Sequence, residues 1–496
     1  MRNLYSVAAV SLVSASLLSG QGRPLDWPFF GGDAQRSGWQ KSDLRITKEN
    51  VKDFELVLKR KLETKAGERS LTPPVVIGNL ISYKGFKELA FVAGSSGRIW
   101  SIDADVNRIF WQKQLKSKSG GCSGGAMATP TLTPPTNFAA PRPRLTPPGT
   151  QSPGAPASPA ATPVTSARPS VLGSTGFGSP RPAFAVSKDG RLHVMNTSTG
   201  DDLVEPIAFL PPNSRASSLT IAEGVLYTAI TDCSGKSGGV WAIDLNGDDK
   251  KVTSYALKGA APVGVGGLAI GTEGTLYVAG SDGSLIALAP RTLTQIASLP
   301  GAGKLGAQAT PVVFTYKERD MLVVPTADGR LTLFDSKQLS TPAFQTPALG
   351  KIWGGISSWL DADGTRWIAA PVWGPVNAET KFAIANGPAA GGAIVAFKVE
   401  EPSGTPVLTP AWISRNLDSP EPPVITSGVV FTVAAGKKGG HATLYAFDAA
   451  TGNEMYSTKD QVAQPANLNG MAIANGRVFF TTVDGTLYGF GIHLEI

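Results

Sequence analysis

Few residue types in this chain suit chemistry, and most of those stand in loops. Lys65, Arg69, Arg215, Lys304 and Lys351 each lie shortly before a short apolar run. Gathered at one rim, they would form a positive funnel that attracts a small polyanion through charge-assisted hydrogen bonds. Scattered, they are ordinary solvated charges. Glu68, Asp418, Glu421, Asn467 and Asn469 occupy loops of the same kind and offer carboxylate and amide oxygen atoms. Trp353, Trp359, Trp367 and Trp373 fall within 21 residues. An indole face suits stacking on a planar ligand, and Trp353 is the best placed of the four; packing between neighbouring elements is the competing use. Cys122 and Cys233 are the only two cysteines. His193, His441 and His493 are far apart and have no metal-ligand spacing. No glycine loop joins a strand to a helix, and Ser123–Gly125 lacks the preceding Gly-x of a nucleophile elbow.

The elements that must position these residues are repeats. Gly274–Leu293 reads as a strand (Leu276–Ala279), a turn holding Asp282-Gly283, and a second strand (Ser284–Leu288), because glycine closes such a turn without strain. Similar hairpins begin at Ala90, Ala183, Leu226, Leu322, Trp367, Val429 and Val478, which makes eight. The turn glycines Gly239, Gly283 and Gly329 are 44 and 46 residues apart. That period, with four short strands per unit, predicts an all-β, eight-bladed β-propeller. Apolar runs from Thr72, Ser218, Gly267, Ala309, Pro422 and Gly470 supply innermost strands, and Asn107–Leu115 and Thr409–Leu417 outermost ones. The last copy has no outer strand, while Phe54–Leu62 is a strand without a hairpin. This N-terminal strand is expected to complete the last blade and close the ring. In such a ring the loops bearing Cys122 and Cys233 emerge on one face from neighbouring blades, which predicts a disulfide; two free thiols are the alternative. The enlarged hairpin Gly374–Gly391 reads as a lid over the channel or as a plain insertion.

Residues 1–22 combine Arg2, an apolar run and small residues, the pattern of a secretory signal, leaving 23–496 as one propeller. Export to the periplasm or the extracellular space follows, and two cysteines fit an oxidising compartment. No other run is apolar and long enough to span a membrane. A stretch at about 133–182 is dominated by Pro, Ala, Ser, Thr and Gly, and is expected to be a disordered insertion. It serves as a tolerated surface loop or as a weakly basic tether to cell wall or lipid headgroups. The net charge is +7, but nine basic and no acidic residues lie between Asp105 and Asp189, so the remainder carries −2. A nucleic-acid partner is therefore not expected.

Trp27-Pro28-Phe29-Phe30-Gly31-Gly32-Asp33, the later Thr47–Val51, and the repeat ending Leu444–Tyr456 (LYAFDAATGNEMY) resemble the PQQ-type eight-bladed propellers, the fold of quinoprotein alcohol dehydrogenases. The resemblance covers nearly everything after the leader except the proline-rich insertion. It implies pyrroloquinoline quinone and calcium as candidate cofactors. Asp418 would be the base, and Glu421, Asn467 and Asn469 the calcium ligands. Arg69, Arg215, Lys304, Lys351, Trp353 and Cys122 would surround the quinone.

The chain also departs from that pattern. The enzymes carry two adjacent cysteines where this chain has Cys122 alone between Gly121 and Ser123. The loops Pro211–Ser218 and Gly259–Gly267 contain no carboxylate. These departures favour an exported scaffold that binds a protein or a small molecule through its cysteine-bearing face. A quinone- and calcium-dependent dehydrogenase of alcohols or sugars with an altered site is the alternative. An envelope assembly scaffold is a third reading.

Overall fold

A lone hairpin has two apolar faces and nothing to cover them; here the covers are the neighbouring copies. The computed structural model describes residues 25–62, 70–82, 85–117, 122, 128–133, 181–247, 249–300, 308–437 and 439–492. Within them the chain is all-β except for the 3₁₀ turn Val51–Asp53, and the strands form eight sheets in a propeller. The expected leader at 1–22, most of the stretch at 133–182, and Lys65, Glu68, Arg69, Lys304 and His493 lie outside the described residues.

Each blade is an antiparallel meander whose first strand is innermost. Those inner strands are Val75–Ser82, Thr131–Leu132, Thr220–Ala222, Ala269–Ile270, Val312–Tyr316, Ser357–Leu360, Val424–Thr426 and Ala472–Ala474 for blades 1 to 8. The hairpin of blade 4 pairs Leu276–Ala279 with Leu285–Leu288, and Gly283 turns the chain at φ 87°. Glu55–Lys61 lies beside Thr486–Gly491 as the outer strand of blade 8, with Glu55 opposite Gly491 and Lys61 opposite Thr486. Side chains between blades make the core. One cluster joins Phe479 and Tyr488 of blade 8 to Val76 and Trp100 of blade 1 and Phe431 of blade 7. Burying each such side chain contributes about 1.5–3 kcal/mol.

Blade 6 is the largest sheet. Lys351–Gly355 and Ser357–Leu360 both pair with Arg366–Trp373, followed by Gly392–Glu400 and Val407–Ile413. Within the enlarged hairpin, Ile384–Ala385 pairs in parallel with Trp412 and Ile413 of the outer strand. Asn386 then donates to the carbonyls of Ile413 and Thr451, the latter in blade 7. This part of the loop therefore covers the blade's outer edge, rather than the channel mouth that a lid would close.

The axial channel is filled by the N-terminal segment Asp26–Asp43, here called the strap. Trp27 exchanges both backbone hydrogen bonds with Val76 of blade 1, at 2.8 and 2.9 Å. The Pro28 carbonyl accepts from Leu132 of blade 2 at 3.2 Å. Ala34, Gln35, Ser37 and Gly38 offer carbonyls to Ile270, Val313, Ser358 and Ile425 of blades 4, 5, 6 and 7, at 2.8, 3.0, 2.8 and 2.7 Å. Blade 3 is reached by Arg36, whose Nη2 donates to Thr220 Oγ1 at 2.5 Å. Blade 8 is reached by Asp43, which accepts from the Gly476 amide at 2.6 Å. The strap's backbone contacts thus follow the blade order around the axis, while blade 3 is met by the Arg36 side chain reaching back past blades 4 and 5. Its apolar residues join the inter-blade clusters: Trp27 between blades 8 and 1, and Phe29 between blades 2 and 3.

Candidate functional site

The disulfide predicted from topology is present. Cys122, from the loop after blade 1, is bonded to Cys233 in the central hairpin of blade 3, 111 residues later, with Cα atoms 5.2 Å apart. The Cys233 sulfur also lies 3.1 Å from the Asn213 carbonyl. A small pocket of about 40 Å³ runs from Cys122 past Ser187 and Lys188 to Arg215. Arg215 is exposed and sits in the short strand Ser214–Ala216, opposite Thr231.

On its other side Arg215 borders a larger cavity of about 230 Å³, walled by blades 1, 2, 3, 4 and 8. Thr72, Thr129, Ser217, Thr231 and Asn469 supply polar groups to its wall, and Arg215 is the one charged residue among the described lining. The rest is apolar side chain and glycine backbone. The small residues follow from the crowding of eight inner strands around one axis. The hydroxyl groups gave no signal in the sequence, because Ser and Thr recur throughout these loops.

The other candidates are dispersed. The Glu421 carboxylate is buried and accepts from the Gly470 amide at 2.7 Å. Asn469 is beside that glycine, but its amide donates to the Leu71 carbonyl across to blade 1. Asn467 points into its own blade, donating to Thr481 Oγ1 at 3.1 Å and the Thr482 carbonyl at 2.9 Å. Its Oδ1 is buried without a hydrogen bond. Asp418 is on the rim of blade 7, with a side chain 41% exposed and 3.9 Å from Lys437 Nζ. Trp353 is stacked on Trp373, ring centroids 4.6 Å apart, and Lys351 lies over both rings at 5.1 and 5.0 Å. Lys351 and Trp353 therefore serve one another rather than the cavity beside Arg215.

This arrangement can be tested against calcium and a tricarboxylate quinone, the groups that the resemblance implies. Among the described residues no three His, Cys, Asp or Glu side chains converge to hold a metal ion. Glu421 is taken up by a backbone amide, Asn467 by blade 8, and Asp418 faces outward. The cavity has one described cation for three carboxylates. The residues described do not fit the pair, and no chemical step is derived through it.

Electrostatic strain lies elsewhere. Arg36 is 2% exposed, and burial pulls its guanidinium down to about 9. Its partners are the carbonyls of Phe30, Gly266 and Leu268 and the Thr220 hydroxyl. At the seam of blades 8 and 1, burial pushes the Glu88 carboxyl up to about 8, with Arg477 opposing.

The eight sheets around one axis define an eight-bladed β-propeller. The family model described as "Outer membrane protein assembly factor BamB" matches residues 390–493, the end of blade 6 and blades 7 and 8. Among solved structures, the chain is similar to the quinohemoprotein alcohol dehydrogenase of Comamonas testosteroni, with 13% identity, 95% of this chain and 81% of that one covered, and a TM-score of 0.58. It is similar to a europium-containing methanol dehydrogenase at 11% identity, 95% and 98% coverage and a TM-score of 0.59. A quinohemoprotein alcohol dehydrogenase of Pseudomonas putida HK5 gives 11% identity, 96% and 81% coverage and a TM-score of 0.55. At these identities the likeness is one of fold. No curated protein matches the chain by sequence. No helix among the described residues is long and apolar enough to cross a membrane.

Proposed function

We propose that this propeller is an exported binding scaffold that receives a protein or small-molecule ligand on its disulfide-bearing face. The observation that carries this reading is the cavity of about 230 Å³ beside Arg215, polar by hydroxyl and amide groups and poor in charge. Such a wall suits a ligand recognised by several neutral hydrogen bonds and one charge, held without chemistry. Export to the periplasm or the cell exterior agrees with the Cys122–Cys233 bond, since disulfides persist in oxidising compartments. The match of residues 390–493 to a model described by outer membrane protein assembly favours a protein partner among the possible ligands.

A second reading, a quinone-dependent dehydrogenase with an altered site, is favoured by the names of the fold neighbours alone. Calorimetric titration with pyrroloquinoline quinone, with and without calcium, separates the two. The scaffold reading expects no saturable heat at high micromolar quinone. A stoichiometric, calcium-dependent heat overturns it and makes the dehydrogenase the leading function.

A further inference from the structure

We propose that the axial channel is a peptide-binding channel whose occupant is this chain's own strap, Asp26–Asp43, and that the strap docks as a separable unit rather than as a tethered tail. Its contacts have the character of strand addition, in which backbone groups give affinity and a few side chains give register. The carbonyls of Pro28, Ala34, Gln35, Ser37 and Gly38 meet the inward-facing amides of five blades, Trp27 pairs with a sixth, and the Gln40 amide adds a second bond to Ile425 of blade 7.

The register is set by Phe30 and Arg36. A Cβ on Gly266, Gly470 or Gly355 would lie 2.9, 3.0 or 3.6 Å from the Phe30 ring, so blades 4, 8 and 6 each keep a glycine around one phenyl group. Arg36 is held by four acceptors from the strap itself and blades 3 and 4. A receptor groove with a shaped pocket and a buried anchor is what peptide recognition requires, and here the whole circuit is supplied in cis. The route out of the channel passes Leu44, which is 67% exposed. The chain can be interrupted there without removing an axial contact.

The test uses the full chain with a protease recognition sequence inserted at Leu44. After cutting of the folded protein, the strap fragment should co-elute with the ring. The unfolding midpoint should become dependent on protein concentration, because refolding is now bimolecular, and a labelled synthetic peptide of residues 26–43 should exchange into the cut protein. Phe30→Ala in the cut protein should speed fragment release at least tenfold. Release of the fragment on cutting with an unchanged midpoint overturns the proposal, and so does collapse of the ring on cutting, since docking would then not have been holding it.

Should the inserted sequence prevent folding, the uncut chain still decides. Phe30→Ala should lower the midpoint by about 5 °C, and a small aromatic such as indole should restore part of the loss by entering the space left. A Phe30→Ala midpoint equal to that of the parent chain overturns the proposal.

Discussion

The side-chain amide of Gln40 donates to the carbonyl of Asp26 at 3.0 Å, so the strap returns to where it began. Between these residues the chain has passed every blade. Gln40 also reaches the Ile473 carbonyl of blade 8 at 3.4 Å, and Asp26 accepts from the Gly78 amide of blade 1 at 3.0 Å. The pair therefore sits at the junction of the innermost strands of the first and last blades.

Arg36 should be irreplaceable by lysine. A guanidinium can serve four acceptors in fixed directions, whereas an ammonium is a point donor on a flexible stem. Arg36→Lys has three donors for four acceptors, leaves at least one buried acceptor unmet, and should cost about 2 kcal/mol in denaturant unfolding. An Arg36→Lys midpoint within error of the parent would mean that the guanidinium geometry does not matter.

Gly266→Ala should be destabilising through Phe30. The backbone there is not in the left-handed region, but the new methyl would stand 2.9 Å from the phenyl ring and 3.0 Å from Thr310. Overpacking of this kind costs about 1–3 kcal/mol. Adding Phe30→Leu should relieve it, giving a favourable coupling of about 1 kcal/mol in a double-mutant cycle. Strict additivity would show that the two residues do not meet.

Alkaline pH should weaken the seam between blades 8 and 1. Glu88 faces Arg477 and Asn475 of blade 8 and Asp105 of its own blade, and its Oε1 is buried without a hydrogen bond. Burial raises its folded value to about 8, above that of the unfolded chain. The folded state then holds the proton more tightly, so this contribution is complete below the unfolded value and is lost as pH rises to about 8. Glu88→Gln, which stays neutral, should flatten the decline in stability between pH 5 and 8. A variant with the same pH profile as the parent would assign the decline to other groups.

Removing the disulfide should weaken the whole ring and not only its rim. Cys122 and Cys233 close a loop of 111 residues that includes blade 2 and the proline-rich stretch. Cross-links over long loops typically contribute about 2–4 kcal/mol. The Cys122→Ala, Cys233→Ala double variant should lose stability of that order, and the parent chain should match it under reducing conditions. Equal midpoints for parent and double variant would restrict the bond to a local role.

The sequence by itself determined the architecture. Strand identity is a local property: Asp282-Gly283 between short apolar runs makes the same hairpin wherever it sits, and eight such units leave little choice of arrangement. The unpaired strand at Phe54–Leu62 and the facing positions of Cys122 and Cys233 followed from topology alone. What only the tertiary structure decided was who meets whom at the axis. Phe30 was legible as part of a family-like opening but not as a channel residue, and Arg36 carried no signal in the sequence. Their partners Thr220, Gly266, Leu268 and Gly470 lie far along the chain, and no local pattern marks them. Asn467, Glu421 and Asp418 carried the right donor atoms in the right kind of loop, yet Asn467 is directed to the Thr482 carbonyl, Glu421 to the Gly470 amide and Asp418 to the rim beside Lys437, neighbours that sequence order does not reveal. Pairing along a strand is set by residues one or two apart, whereas convergence at an axis is set by the angles between eight sheets.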